Sequence, residues 1–313
     1  MPGLAAKRLV FVTGKGGVGK STVAIALGIA AARRGLRTIV AELSGQARAA
    51  GTFGAAGPAE AGVEVRLADC LYATSVEMEV ALEEYLHERA GRVGDLLAAS
   101  RAFHAFASAT PGMRELMSIG KAWELAQDPR RISGTTPYDL VIVDAPATGH
   151  ALGALRAPAT FAEIARVGPI AHQGRAIDAT LRDPAQTAVV AVALPEEMPV
   201  TETLMLRRGL REAIGHEPAA VVVNACLPER LGPRQARTAE DALDAVEDRV
   251  VHAALRSALS EHVRASAQRE QVVRLTEGLG DNAEPLVELP YLFTETLGAP
   301  ELGALADRLE VLL

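Results

Sequence analysis

No run of apolar residues in this chain approaches the roughly 18 that a membrane-crossing helix needs, so a spanning protein is not expected, although transient membrane association stays open. Basic residues are in the minority: 32 Lys and Arg face 39 Asp and Glu, a net charge of −7 that argues against a nucleic-acid partner. Cysteine is nearly absent. Cys70 and Cys226 lie far apart and form no C-x-x-C, which removes paired-cysteine zinc and iron–sulfur sites and leaves both readable as small buried hydrophobes. Aromatic residues make up 4% of a chain that is 49% hydrophobic, so the core must be built mainly from Ala, Val and Leu. The opening M-P-G-L-A-A-K-R runs straight into an apolar stretch and leaves no room for a signal peptide, which points to the cytoplasm.

What is present is concentrated between Thr13 and Thr22, T-G-K-G-G-V-G-K-S-T. Gly14, Gly19, Lys20 and Ser21 satisfy the phosphate-loop pattern G-x-x-x-x-G-K-[ST]. The short run Arg8–Thr13 reads as a buried strand and Val23–Arg34 as a helix. Between them the glycines allow backbone N–H groups to converge on one anion, and the helix dipole adds to that field. The expected ligand is a nucleotide's phosphates, held by Gly14, Lys15, Gly16, Gly17, Val18, Gly19, Lys20, Ser21 and Thr22. Lys20 would lie along the β- and γ-phosphates as a catalytic cation, and the Ser21 hydroxyl would ligate Mg²⁺.

Further strands are expected at Arg37–Leu43, within Val63–Val76 as one or two, and at Tyr138–Asp144, Thr187–Leu194, Ala219–Asn224 and Leu286–Leu289. Residues Ser44–Gly57, rich in Gly and Ala, read as a loop. Helical patterning fills about 77–127, an insert within the sheet order, and about 233–278, where charge is dense. Met113 and Met117, at i and i+4, could with Trp123 line a small groove in the insert, though core packing is the favoured reading. Val200–Ile214 and Glu301–Leu313 complete the helices. Strands alternating with helices predict an α/β fold, a mostly parallel sheet flanked by helices with an inserted helical subdomain, all in a single domain spanning 1–313. A ligand would bind where the strands end at their C-termini, and one nucleotide site per chain is expected. Asp144, after the apolar Leu140–Val143, sits where a Walker B carboxylate serves magnesium.

Two stretches carry a family resemblance. Lys15, directly after the first glycine, gives G-K-G-G-x-G-K-[ST], which resembles the deviant Walker A loop of the MinD, ParA, nitrogenase iron protein and arsenite ATPase group. Asp144–Leu152, D-A-P-A-T-G-H-A-L, resembles the D-T-A-P-T-G-H-T-L switch of the arsenite-pump ATPase and of its relative that targets tail-anchored proteins. Asp144, Thr148, Gly149 and His150 coincide, while Ala145-Pro146-Ala147 replaces T-A-P. The resemblance implies a P-loop, Mg²⁺-dependent ATPase working as a nucleotide-sandwiching dimer, with Lys15 reaching the partner's nucleotide and the second switch sensing the γ-phosphate. It also implies that Asn224 hydrogen-bonds adenine and that the Pro290-Tyr291 loop covers it. The partners implied are a second copy or a related ATPase subunit, and a protein client that the sequence does not name.

Departures from the family pattern are equally specific. Its first switch reads D-P-A-H-N, with an aspartate that orients the attacking water; here the corresponding position is Ser44, in E-L-S-G-Q-A-R from Glu42 to Arg48. A neutral hydroxyl cannot take up a proton as a carboxylate does, and losing such a base typically costs about 10²–10⁴ in rate. Slow intrinsic hydrolysis is therefore expected, with Glu42 as an incomplete substitute. The zinc-clamp and metalloid-binding cysteines of the family are missing, which argues against arsenite export. Two alternatives are a positioning ATPase like MinD or ParA, and a regulatory subunit of a heterodimer in which ATP is structural glue. The first is weakened by a C-terminal helix that carries Leu302, Leu305, Leu309 and Leu312 on an otherwise acidic frame, as for docking on its own domain. It is weakened also by arginines from Arg256 to Arg274 interleaved with Glu261, Glu270 and Glu277, a solvated face rather than a DNA-binding one.

Overall fold

Apolar, β-branched runs buried on both faces must satisfy their backbone N–H and C=O groups strand to strand, because no water reaches them. In the computed structural model, which describes residues 3–43, 47–54, 60–130, 135–280 and 284–313, eight strands among the described residues do so. They are β1 (Leu9–Gly14), β2 (Thr38–Glu42), β3 (Val65–Ala68), β4 (Leu71–Ser75), β5 (Leu140–Ala147), β6 (Thr187–Ala193), β7 (Ala220–Cys226) and β8 (Leu286–Pro290). Their order across the sheet is β3-β4-β2-β5-β1-β6-β7-β8. Every neighbouring pair is parallel except β3 with β4. This is the α/β, mostly parallel P-loop fold that the sequence predicts.

The helices are α1 (Lys20–Arg33), α2 (Arg48–Thr52), α3 (Met78–Ala98), α4 (Arg101–Ala109), α5 (Met113–Leu125), α6 (Thr148–Ala165), α7 (Pro169–Arg182), α8 (Glu197–Ile214), α9 (Pro233–Leu243), α10 (Arg249–Leu279) and α11 (Ala299–Leu309). The period-two alternation of each strand divides the core between them. Val10, Val12, Val40, Ile142, Val190 and Val222 face α1 and α11, and Leu302, Leu305, Leu309 and Leu312 close that side. The C-terminal helix thus docks on its own domain. Leu9, Phe11, Ile39, Val141, Val143 and Val189 face the other way, toward α5, α6 and α8. The chain leaves β1 through α1 on one face and leaves β5 through α6 and α7 on the other. Right-handed crossovers running in opposite directions require this arrangement, and it opens a crevice at the C-terminal ends of β1 and β5.

Several boundaries differ from the sequence expectation. The loop expected over 44–57 contains α2, a short helix whose first amides are held by the Glu42 carboxylate: Arg48 N and Ala49 N donate to it at 2.9 and 3.3 Å. A charged cap supplied from β2 offsets the poor helix propensity of this Gly-containing stretch. Strand β5 continues three positions past Asp144, to Ala147, because Gly14 pairs with Ala147 across a register shift in β1. β7 likewise runs past Asn224 to Cys226, which pairs with Pro290. Cys70 and Cys226 are half-buried rather than buried. Cys70 lies in the turn between β3 and β4 at φ 59°, and burial together with Glu288 pushes the Cys226 thiol up to about 12, so it stays protonated. Met117 and Trp123 are buried as expected, and Trp123 Nε1 donates to Thr180 Oγ1 at 2.9 Å.

A charged cluster ties the helical insert to the sheet. Arg130, its side chain fully buried, contacts Glu64 at 2.7 Å and Glu124 of α5 at 3.1 Å, and the Tyr138 hydroxyl donates to Glu64 at 2.6 Å. Lys121 of α5 bonds Glu84 of α3 at 2.6 Å. Removing one partner of such a buried set strands the others without compensation. Arg130→Ala is expected to destabilise the fold by about 3–5 kcal/mol in urea unfolding, on the scale of broken buried ion pairs.

Candidate functional site

At the C-terminal tip of β1 the backbone passes too close to its neighbours for any side chain. A Cβ at Gly14 would stand 2.0 Å from the Val192 carbonyl oxygen of β6. Gly19 sits at φ +91°, and a Cβ there would stand 2.2 Å from Asn224 Nδ2. Only glycine allows both positions. Between them Gly16 and Gly17 are exposed, Val18 is buried as the anchor of the loop, and α1 starts at Lys20 with no side chain capping its first amides. Those uncapped N–H groups, on a 14-residue helix, face the mouth of the loop with the positive end of the helix dipole.

Lys20 folds back over this loop, its Nζ donating to Lys15 O at 3.1 Å. Burial lowers its pKa, while Asp144 acts in the opposite sense. Ser21 on the first turn of α1 donates its hydroxyl to Asp144 Oδ2 at 2.5 Å. Asp144 is itself placed by two parallel ladders, in register with Val12 of β1 and with Glu42 of β2. It is only 3% exposed. Burial pushes its carboxyl above the usual range, and Ser21, Lys20 and Arg48 pull it back down. A buried carboxylate beside a serine hydroxyl, with its charge met only by nearby side-chain cations, is a donor set suited to a hard divalent cation such as Mg²⁺.

The other predicted residues are distributed along the same rim. Asn224, on β7, does not present its whole amide outward: Nδ2 donates to Val18 O at 2.9 Å and so braces the phosphate loop. Its Oδ1 and second N–H remain for a ligand. Pro290 ends β8, and the Tyr291 amide donates to Cys226 O at 2.8 Å, which fastens this turn to the tip of β7. Tyr291 packs edge-to-face with Phe293 at 4.9 Å, both rings largely exposed. Lys15 is paired within its own chain, 3.0 Å from Glu202 of α8. Gly149 and His150 are exposed on the first turn of α6, while the buried Thr148 Oγ1 has no hydrogen-bond partner. Thr22 is half-buried on α1. Ser44 lies outside the described residues.

Three residues at this rim carry contacts that motif reading did not assign. Glu42 caps α2, Arg48 places a guanidinium nitrogen 3.5 Å from Ser21 Oγ, and Glu202 holds Lys15. Each lies outside the fixed positions of the phosphate loop and becomes visible only when β2, α2 and α8 are folded beside it.

A glycine loop between a parallel strand and a helix, a lysine laid over it and a carboxylate on the adjacent strand define a P-loop nucleotide-binding protein. The sequence profile of the anion-transporting ATPase family matches residues 7–173 and 162–241, and the chain belongs to that family. It is similar to the ATPase BagA of Mycobacterium tuberculosis, at 32% identity over 254 residues, covering 77% of this chain and 72% of that protein. A protein of Halobacterium salinarum, provisionally named arsenical pump-driving ATPase, is 29% identical over 236 residues, covering 72% of this chain and 36% of its own length.

The Glu42 carboxyl, 1% exposed, is raised by burial from its ordinary 4.5 to about 7 despite its helix-capping bonds. Between those two values the folded chain therefore holds a proton that the unfolded chain has released. The contribution of this group to stability falls as pH rises from about 4.5 to about 7, with no further loss from it above that. In metal-free, nucleotide-free buffer the expected decline is on the order of 1–2 kcal/mol after solvent screening. Glu42→Gln should flatten it, with chemical unfolding at pH 5, 6, 7 and 8 as the check.

Proposed function

We propose that this chain is a cytoplasmic, Mg²⁺-dependent ATPase of the arsenite-pump and tail-anchored-protein-targeting type, which binds one ATP per protomer and couples it to a protein client through dimerisation. The observation that carries the reading is the Ser21–Asp144 hydrogen bond at the base of the glycine loop. Uncapped amides of α1 and the Lys20 ammonium would bind the β- and γ-phosphates. Ser21 directly, and Asp144 behind it, would hold the metal ion, which supplies charge neutralisation and orientation for the phosphates. Thr148, with its hydroxyl unpartnered at the start of α6, is suited to sense a terminal phosphate and to pass its presence to the helix. Asn224 would contact the base with the amide groups that the loop leaves unused, and Pro290-Tyr291 would flank it.

Dimerisation requires Lys15 to leave Glu202. Both side chains of that pair are about one-third exposed, so its loss costs on the order of 0–1 kcal/mol, small against the energy of a second nucleotide contact. Water activation is the weak point of the site. With Ser44 at the first switch, Glu42 is the acidic side chain of β2 nearest that position, and its carboxylate is engaged with the α2 amides. Intrinsic hydrolysis is slow on this reading. The glue reading survives as the limiting case, in which ATP is held and never turned over.

Steady-state ATP hydrolysis and sizing in ATP, on the wild type beside Lys20→Ala, Lys15→Ala and Ser44→Asp, test this directly. The expected result is slow turnover by the wild type, loss of ATP binding in Lys20→Ala, loss of the ATP-dependent dimer in Lys15→Ala, and a gain of at least tenfold in Ser44→Asp. Undetectable turnover in all four proteins, with ATP still bound by the wild type, would instead establish ATP as glue.

A further inference from the structure

Arg48 is a cation at the rim that lies outside the phosphate-loop and second-switch motifs. It is exposed, and it stands at the first position of α2, whose two leading amides are clamped by the buried Glu42 carboxylate. Its guanidinium reaches back across the crevice to lie 3.5 Å from Ser21 Oγ. Its charge acts on Lys20, Glu42 and Asp144, the groups that surround the candidate phosphate and metal site.

We propose that Arg48 is a catalytic residue of this site, an arginine that serves the terminal phosphate of ATP from within its own chain. The proposal rests on the ATPase reading above and adds to it a group that the phosphate-loop and second-switch motifs do not contain. The charge of the buried Asp144 is met by Ser21, Lys20 and Arg48. A metal ion on Ser21 beside the Arg48 guanidinium would crowd two cations on one hydroxyl, and they would repel each other. Loading of the site therefore drives Arg48 off Ser21. A terminal phosphate met by Lys20 would then be a suitable anion for it, because a guanidinium matches phosphate oxygens with paired N–H donors. The Glu42 clamp keeps the backbone of Arg48 in place during the exchange, so only its side chain has to swing.

During hydrolysis the water oxygen forms a new bond to the γ-phosphorus, the bond from that phosphorus to the β–γ bridging oxygen breaks with its electrons leaving on ADP, and the water's proton passes to solvent. Arg48 takes no part in that bond exchange. It neutralises charge on the transferring oxygens, a role worth about 10³–10⁵ in rate where arginine supplies it in other P-loop enzymes. Because a cation offsets part of the burden of a missing base, Arg48 would also help a chain with Ser44 at its first switch to turn over.

The test compares Mg·ATP and Mg·ADP affinities by calorimetry in wild type, Arg48→Ala, Arg48→Gln and Arg48→Lys, and the retention of ADP with aluminium fluoride. Circular dichroism confirms that each variant is folded, and Arg48→Gln keeps the stem should the alanine variant fail. The expected result is that Arg48→Ala and Arg48→Gln lose at least tenfold in ATP affinity with ADP affinity unchanged and no longer retain the fluoride complex, while Arg48→Lys recovers part of both. Equal losses for ATP and ADP, or no change in either, would overturn the proposal and leave Arg48 as a shaping residue of α2. Those outcomes presuppose a wild type that binds ATP. A wild type that binds neither nucleotide defeats the ATPase reading, and this proposal with it.

Discussion

A carboxylate with almost no exposure to water is tolerable only where cations and hydrogen bonds answer its charge. Asp144 is such a group, and the architecture at the rim is arranged around meeting that demand. β1 and β2 fix its height through their registers on either side, α1 brings Ser21 to it, and the phosphate loop brings Lys20. The glycines follow from the same geometry. A loop that returns α1 so close to β5 runs against Val192 on one side and Asn224 on the other, leaving no volume for a side chain at Gly14 or Gly19. Nucleotide binding at this rim would use a charge balance that the fold already holds.

The balance is local, and this decides what the neighbouring groups can do. Glu42 is spent on the α2 amides, and this sets where Arg48 stands. Lys15 is engaged by Glu202 on α8, a helix that packs against α6 and so connects the phosphate loop to the element that begins at Thr148. A nucleotide that recruited Lys15 and Thr148 would thereby act on α8 and α6 together. The helical insert packs on α6 through α5, and the Arg130 cluster joins it to the sheet, so a mechanical route from the site to the insert exists in the packing.

Much of this was readable from residue order. The strands and the flanking helices follow from apolar runs of strand length separated by helical periods, and the phosphate loop is a contiguous motif whose parts need only their own neighbours. What could not be read was contact between distant segments. A helix at Arg48–Thr52 is unexpected in a Gly- and Ala-rich stretch, and it forms because Glu42 on another element caps it. The pairing of Lys15 with Glu202 spans most of the chain and depends on how α8 lies beside β1. Asn224 was legible as a rim residue at the end of a strand, yet its bond to Val18 appears only when the loop has been wrapped over β7. The extension of β5 past Asp144 has the same origin, since it follows from pairing with Gly14 rather than from any property of Ala145-Pro146-Ala147.

The central claim is that the Ser21–Asp144 pair beneath the glycine loop is a metal-assisted ATP site. It is tested most directly by titrating the purified wild-type chain with ATP in a calorimeter, once with Mg²⁺ and once with EDTA, and repeating both with Asp144→Asn. The account predicts one ATP per chain, affinity that rises with Mg²⁺ in the wild type, and loss of that Mg²⁺ dependence in Asp144→Asn. Absence of ATP binding in the wild type, or an affinity indifferent to Mg²⁺, would contradict it.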